Sequence, residues 1–199
     1  MPPLPSSFYD RDALVVARDL IGAEVAHAGV RLRITEVEAY RYPGDTANHA
    51  RVGRTPRNAP MWGPPGHAYV YLCYGLHHLL NFVTGPEGHP AAVLLRAAEV
   101  VEGLDLVIAR RGAGETRVGP VLLTGPGKVG RALALDTSHS GARLAGPLAV
   151  YARERTPTIL AGPRIGIDYA EPGDREAPWR LAAAGSRWVS HPKRLWPEP

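Results

Sequence analysis

Val30-Arg31-Leu32-Arg33-Ile34-Thr35-Glu36-Val37-Glu38-Ala39-Tyr40 alternates as an extended strand does, with a two-residue period. Successive side chains of a strand point to opposite faces, so Val30, Leu32, Ile34, Glu36, Glu38 and Tyr40 are expected on one side. Two acids then stand in phase with apolar residues. A carboxylate on a buried face must be paired or resist ionisation, and a carboxylate that resists ionisation is what a general base uses near neutral pH. The competing reading is a strand that twists or bulges and leaves both acids in water.

Upstream of this strand, Asp10 reads as the N-cap of a helix carrying Leu14, Val15, Arg18 and Ile21 on one stripe, with Gly22 closing it. Downstream, a proline- and arginine-rich loop from Arg41 to Gly66 leads to a second strand at Tyr69–Tyr74, ended by Gly75. A third strand at Ala91–Arg96 is read as running into a helix whose Val100, Leu104, Val107 and Ile108 share a face. A short helix over Gly127–Leu135 and strands at Arg164–Tyr169 and Trp188–Ser190 complete the pattern. Strands and helices mix without strict β-α-β alternation, so the class is α+β. With 199 residues, 45% of them hydrophobic, and neither an internal repeat nor a long linker, one compact domain over residues 1–199 is expected, residues 1–7 being flexible.

The formal net charge is +4, carried almost wholly by arginine, since lysine stands only at positions 128 and 193. Such a balance is compatible with a polyanionic partner without demanding one. A single cysteine, Cys73, excludes an internal disulfide and a cysteine metal set. The start of the chain lacks the basic and apolar regions of a signal peptide, and no stretch reaches membrane-spanning length. A soluble, cytoplasmic, monomeric protein is expected.

The residues with chemical potential concentrate in the first half. Tyr40, Tyr42, His49, Arg51, Arg54 and Arg57 mix aromatics with guanidiniums, a combination that stacks on bases while holding phosphates, or else a plain solvated basic loop. Tyr69 and Tyr71 share one strand face and Tyr74 leans to the other; they are either core or a stacking surface. Leu94 and Arg96 share a face of the third strand, where an anchored guanidinium can hold an anion. A Cys73 and His77 or His78 dyad has no orienting third group, and His67, His77 and His78 lack zinc-ligand spacing. Gly125-Pro126-Gly127-Lys128 reads as a phosphate-holding helix start or an ordinary helix entry.

Taken in order, Thr35-Glu36-Val37-Glu38-Ala39-Tyr40, His49-Ala50-Arg51, Arg54-Thr55-Pro56-Arg57-Asn58, Tyr69-Val70-Tyr71-Leu72-Cys73-Tyr74-Gly75, Asn81 and Val93-Leu94-Leu95-Arg96-Ala97 resemble the alkyladenine (3-methyladenine) DNA glycosylase family. Gly125–Lys128, Pro163-Arg164-Ile165-Gly166-Ile167 and Trp188-Val189-Ser190 extend the resemblance over nearly the whole chain, while Cys73 and His77-His78-Leu79 depart from the family pattern. The resemblance implies a single domain with a curved, mainly antiparallel mixed sheet flanked by helices, working without metal or cofactor. It implies that Glu38 activates the water, with Arg96 holding water and backbone beside it. Tyr40, His49 and Tyr71 would wall the pocket for a flipped purine, and Asn81 would screen exocyclic groups. Tyr74 would wedge into the vacated stack, with Leu94, Arg54 and Arg57 completing the DNA contacts.

The implied activity is release of alkylated or deaminated purines (3-methyladenine, 7-methylguanine, hypoxanthine and ethenoadenine) from double-stranded DNA in base excision repair. A base must leave the duplex to be reached, and a damaged base leaves most easily. The implied enzyme is monofunctional. Lyase chemistry needs an amine, and Lys128, Lys193 and the chain start are the few sources; an exposed Pro2 would lack the acidic neighbour such a nucleophile uses.

Overall fold

Asp12, rather than Asp10, starts the first long helix of the computed structural model, which describes residues 1–112 and 118–197. The Asp12 carboxylate accepts from Leu14 N at 2.9 Å, so the helix begins at Ala13, and Asp10 instead ends the preceding turn. Moving the start moves the buried stripe: Ala13, Val16, Ala17 and Leu20 face inward, while Val15, expected inside, is 45% exposed. Leu4 N donates to Val150 O at 2.7 Å, which ties the start of the chain to the body.

The elements in chain order are α1 (Ser6–Tyr9), α2 (Ala13–Leu20), β1 (Glu24–His27), β2 (Val30–Tyr40), β3 (Ala68–Cys73), β4 (His77–Thr84), β5 (Ala91–Glu102), α3 (Leu104–Arg111), α4 (Pro126–Ala132), β6 (Ala149–Tyr151), β7 (Ile159–Gly162), α5 (Pro172–Glu176), β8 (Arg180–Ala183) and β9 (Trp196–Pro197). The strands form one sheet in the order β3-β4-β5-β2-β8-β7-β9, with β1 on β2 and β6 on β1. Among the described residues every strand pairing is antiparallel. The α+β class and the mainly antiparallel sheet agree with the sequence reading. The sheet is open, since its end strands β3 and β9 do not pair with each other.

The strand read as Val30–Tyr40 is β2, the spine of the sheet. β5 pairs along it from Arg31 to Tyr40. On its other edge β1 covers Val30–Arg33 and β8 covers Glu36–Glu38. Several other expectations are corrected. β5 continues to Glu102, so Val100 lies on a strand and the following helix begins at Leu104. Gly103, at φ 82, makes the break that the apolar spacing concealed. No strand forms at Arg164–Tyr169 or Trp188–Ser190; β7 and β8 take those places in the sheet. β4, which opens on the polar His77 and His78 and was not expected, is a full strand between β3 and β5.

One face of the sheet carries the main core, closed by α2 and by α4. α4 approaches so closely that a side chain at Gly130 would overlap the carbonyl oxygen of His78, which makes glycine obligatory there. Among the described residues no helix is long and apolar enough to cross a membrane.

Candidate active site

The site owes its existence to a double irregularity in the β2–β5 ladder. Ile34 pairs with Ala98 and Glu36 with Ala97, so Thr35 has no partner; Val37 pairs with Leu95, so Arg96 has none. An unpaired residue shifts the alternation by one and turns every later side chain to the other face. Val30, Leu32 and Ile34 point into the main core before the irregularity, and Val37 and Ala39 do so after it. Glu36, Glu38 and Tyr40 are therefore out of phase with the apolar residues, which corrects the expected common face. On β5, Val93 and Leu95 go to the core while Leu94 and Arg96 join the acids on the opposite side.

The two acids are buried, as a bulged strand left in solvent would not be, but they meet different surroundings. Glu36 is enclosed: Arg180 Nη1 donates to it at 2.8 Å, Ser190 N at 2.7 Å and Ser190 Oγ at 2.9 Å, and Arg96 Nε stands 3.4 Å away. Arg180 spends its remaining donors on the carbonyls of Pro163, Ser190 and Arg194. Glu38 is fully buried as well, yet its partners all line a cavity: Tyr40 Oη donates to Oε2 at 2.9 Å, Ile165 N to Oε1 at 2.8 Å, and Arg96 Nη1 stands 3.1 Å from Oε1. Of the alternatives for a buried carboxylate, pairing is the one realised.

That cavity, of about 460 Å³, lies against the site face of β3, β4 and β5 and is closed opposite by the Tyr40–His49 and Ile165–Tyr169 loops. Tyr40, His49, Tyr71, Asn81, Leu94, Arg96, Arg57 and Tyr74, predicted as site residues, all line it. Glu38 sits directly behind its wall. Arg54, also predicted, is exposed and does not line the cavity. The His49 ring packs edge-on against Tyr71, with centroids 4.7 Å apart, and its Nδ1 lies 3.1 Å from Tyr69 Oη. Burial, foremost, raises the pKa of Tyr40, Tyr69 and Tyr71, so the phenols stay protonated. Asn81 Nδ2 donates to Tyr69 O at 3.1 Å, a bond that fixes the amide where it meets the cavity.

His49 is pushed down to about 4, by burial first and then by the Arg57 and Arg51 guanidiniums. The imidazole is neutral at physiological pH. As the pH falls below about 6.5, an unfolded imidazole takes up a proton and the native one does not, so stability is lost between about pH 6.5 and 4. His49→Asn should flatten that loss, read as the difference in unfolding free energy between pH 7 and pH 5 by urea titration. An unchanged slope would show that His49 is not the titrating group.

At the cavity mouth the β3–β4 hairpin turns through Tyr74 and Gly75, at φ 50 and 68, closed by Leu76 N on Cys73 O at 3.0 Å. A tyrosine in the left-handed region is strained, which Gly75 is not. The result is an aromatic side chain left 89% exposed beside the opening. Leu76, 76% exposed at the same tip, went unremarked in the sequence.

Sequence reasoning missed the wall made by Ile165, Gly166, Ile167 and Tyr169. Its signal was Gly166, at φ 77, with Pro163 just before it: a turn, where a strand was expected. Arg51 lies over the Tyr169 ring at 4.5 Å, and Arg57 over Tyr71 at 5.3 Å. Lys128 Nζ donates to Val121 O at 2.9 Å. Among the described residues no group of three or more His, Cys, Asp or Glu side chains is arranged to hold a metal ion.

A family model described as methylpurine-DNA glycosylase matches residues 7–187. A Nitrosococcus oceani protein provisionally named a 3-methyladenine DNA glycosylase is 58% identical over 196 residues, covering 98% of this chain and 96% of its own. The Arabidopsis thaliana DNA-3-methyladenine glycosylase is 49% identical over 196 residues, covering 97% of this chain and 76% of its own.

Proposed function

We propose that this chain, which belongs to the methylpurine-DNA glycosylase family, draws an alkylated or deaminated purine out of the duplex into the aromatic cavity and hydrolyses its bond to the sugar, with Glu38 activating the water. The observation that carries this reading is a fully buried carboxylate directly behind an aromatic cavity, held by three cavity-lining residues. Tyr40, Ile165 and Arg96 take three of about four acceptor sites on Glu38, and the site left on Oε2 accepts a proton from water. The water oxygen bonds to the anomeric carbon, and the electron pair of the glycosidic bond departs with the base. Arg96, its Nη1 3.1 Å from Oε1, fixes the orientation of the carboxylate that receives the proton.

A purine made cationic by alkylation leaves as a neutral base and needs no proton. Hypoxanthine does need one; His49, neutral near pH 7, is no imidazolium acid for it, so the departing base takes its proton from solvent water, and the imidazole serves the pocket as wall and hydrogen-bond partner. Tyr40, His49 and Tyr71 enclose the base and Asn81 reads its edge, while Leu94, Arg54 and Arg57 contact DNA beside it. Extruding the base costs a few kcal/mol, which the Tyr74 ring offsets by filling the vacated stack.

The reading is tested by incubating the protein with duplexes that each carry one 7-methylguanine, hypoxanthine or 1,N6-ethenoadenine. Free base, an abasic site and an uncut strand are expected, with no covalent adduct trapped by borohydride, since the Lys128 amine is engaged with Val121 O. No release from any of these lesions defeats the reading. A trapped adduct that forms as fast as turnover defeats the water mechanism.

Tyr74→Ala should weaken binding to lesion-bearing duplex about tenfold and leave single-stranded binding nearly unchanged, because only a duplex has a stacking gap to fill. Equal losses on both, measured by fluorescence anisotropy, would remove the wedge role. Asn81→Ala should admit purines with a 2-amino group, since the amide fixed by Tyr69 O would no longer block that edge. An unchanged product spectrum by chromatography of released bases would contradict it.

A further inference from the structure

We infer that Arg164 is a positioning residue for the hydrolytic step, acting on the Glu38 carboxylate through Tyr40 and through the backbone of Ile165; the inference rests on the role given to Glu38 above. The Arg164 guanidinium is buried and lies over the Tyr40 ring at 4.7 Å and over the Trp179 ring at 4.9 Å. Its Nη1 donates to Asp45 Oδ2 at 2.6 Å and to Ala39 O at 2.9 Å, and its Nη2 to Asp45 Oδ1 at 2.8 Å. A two-pronged bond of this kind fixes the plane of the guanidinium, not only its charge.

Two of the three donors on Glu38 depend on that plane. Tyr40, whose ring packs on it, points its hydroxyl at Oε2 from 2.9 Å. Ile165, the next residue in the chain, directs its N–H at Oε1 from 2.8 Å. One side chain thus anchors both contacts, on a loop without secondary structure of its own, and Asp45 joins that loop to the segment following β2. A buried ion pair is a weak device for stability, because apolar residues of similar volume serve as well or better. Setting the direction of two hydrogen bonds on a catalytic carboxylate is a task that a fork can do and a methyl group cannot. A lysine in its place would keep the charge and lose the plane.

The test compares wild type with Arg164→Lys, Asp45→Asn and Tyr40→Phe, and with the Arg164→Lys/Tyr40→Phe pair. The readings are single-turnover base release from a duplex with one ethenoadenine, binding of a duplex with a tetrahydrofuran abasic analogue, and thermal unfolding. Arg164→Lys is expected to slow release about 10²-fold with abasic-duplex binding within a few-fold of wild type. Asp45→Asn should slow it in the same direction, and the double variant should lose less than the product of the single losses. If Arg164→Lys does not fold, Asp45→Asn, which keeps the side-chain volume, is judged by the same criteria. Lower melting temperatures with unchanged release per folded molecule, or losses that multiply independently, would overturn the inference and leave the glycosylase reading intact. A wild-type protein inactive on every lesion duplex would bring down both.

Discussion

Glu38→Gln is expected to slow base release by about 10²–10⁴-fold while leaving the affinity for a duplex with an abasic analogue near that of wild type. Glutamine keeps the length and one carbonyl oxygen, so the Ile165 N–H retains an acceptor, and Tyr40 can rotate its hydroxyl to accept in turn. What disappears is the capacity to take a proton from water. Since Glu38 touches Tyr40, Arg96 and the Ile165 backbone and lies behind the cavity wall, little DNA binding is lost with it. Single-turnover kinetics and anisotropy titrations separate the two effects. Release within a few-fold of wild type would remove Glu38 from the reaction, and Glu36 would be a poor successor, because its oxygens are occupied by Arg180 and Ser190, neither of which lines the cavity.

Glu36→Gln should damage the protein in the complementary way, by folding rather than chemistry. Arg180 and Glu36 are both without solvent exposure, and the substitution leaves a buried guanidinium with neutral acceptors alone. Removing one member of a buried pair costs about 3–5 kcal/mol, and the three carbonyls around Arg180 place the expected loss near the lower end. Against a total stability of about 5–15 kcal/mol such a loss is large. It should appear as a lower urea midpoint at unchanged slope. A midpoint close to that of wild type would show that the carbonyls suffice and that the ion pair adds nothing. The two substitutions differ only in which of two alternate residues of one strand they alter, so together they separate the acid that carries chemistry from the acid that carries structure.

The course of β2 was readable from residues 30–40 alone, because the alternation of apolar and polar side chains over Val30–Thr35, resumed one residue out of step from Glu36, suits an extended chain and no other regular form. The hairpin turn at Tyr74–Gly75 was equally local, since Gly75 announces a positive φ. Elements that depend on distant partners were not readable. β4 is polar where it emerges and becomes a strand by lying between β3 and β5, β8 gains its place by covering the free half of the β2 edge, and β7 by pairing with β8. Asp12 outcompeted Asp10 as a cap because only its side chain reaches Leu14 N.

For the site the division is sharper. The sequence held the residue types, two acids two apart followed by a tyrosine, with an arginine on a later strand. From those alone both acids fell on the apolar face, since alternation counted along one strand assumes an unbroken ladder. Only the folded sheet leaves Thr35 unpaired before the Glu36–Ala97 pair and Arg96 unpaired after it; the first offset turns Glu36, Glu38 and Tyr40 away from the core, and the second brings Arg96 and Leu94 to the same side. Which acid meets a cavity was decided further away still, by Arg180 and Ser190 closing around Glu36 while Ile165 and Tyr40 leave Glu38 beside open space. Local propensity determines where a strand runs. Register is a property of contacts between strands distant in the chain, and the burial of charge here of contacts more than a hundred residues apart; both exist only once the chain has folded.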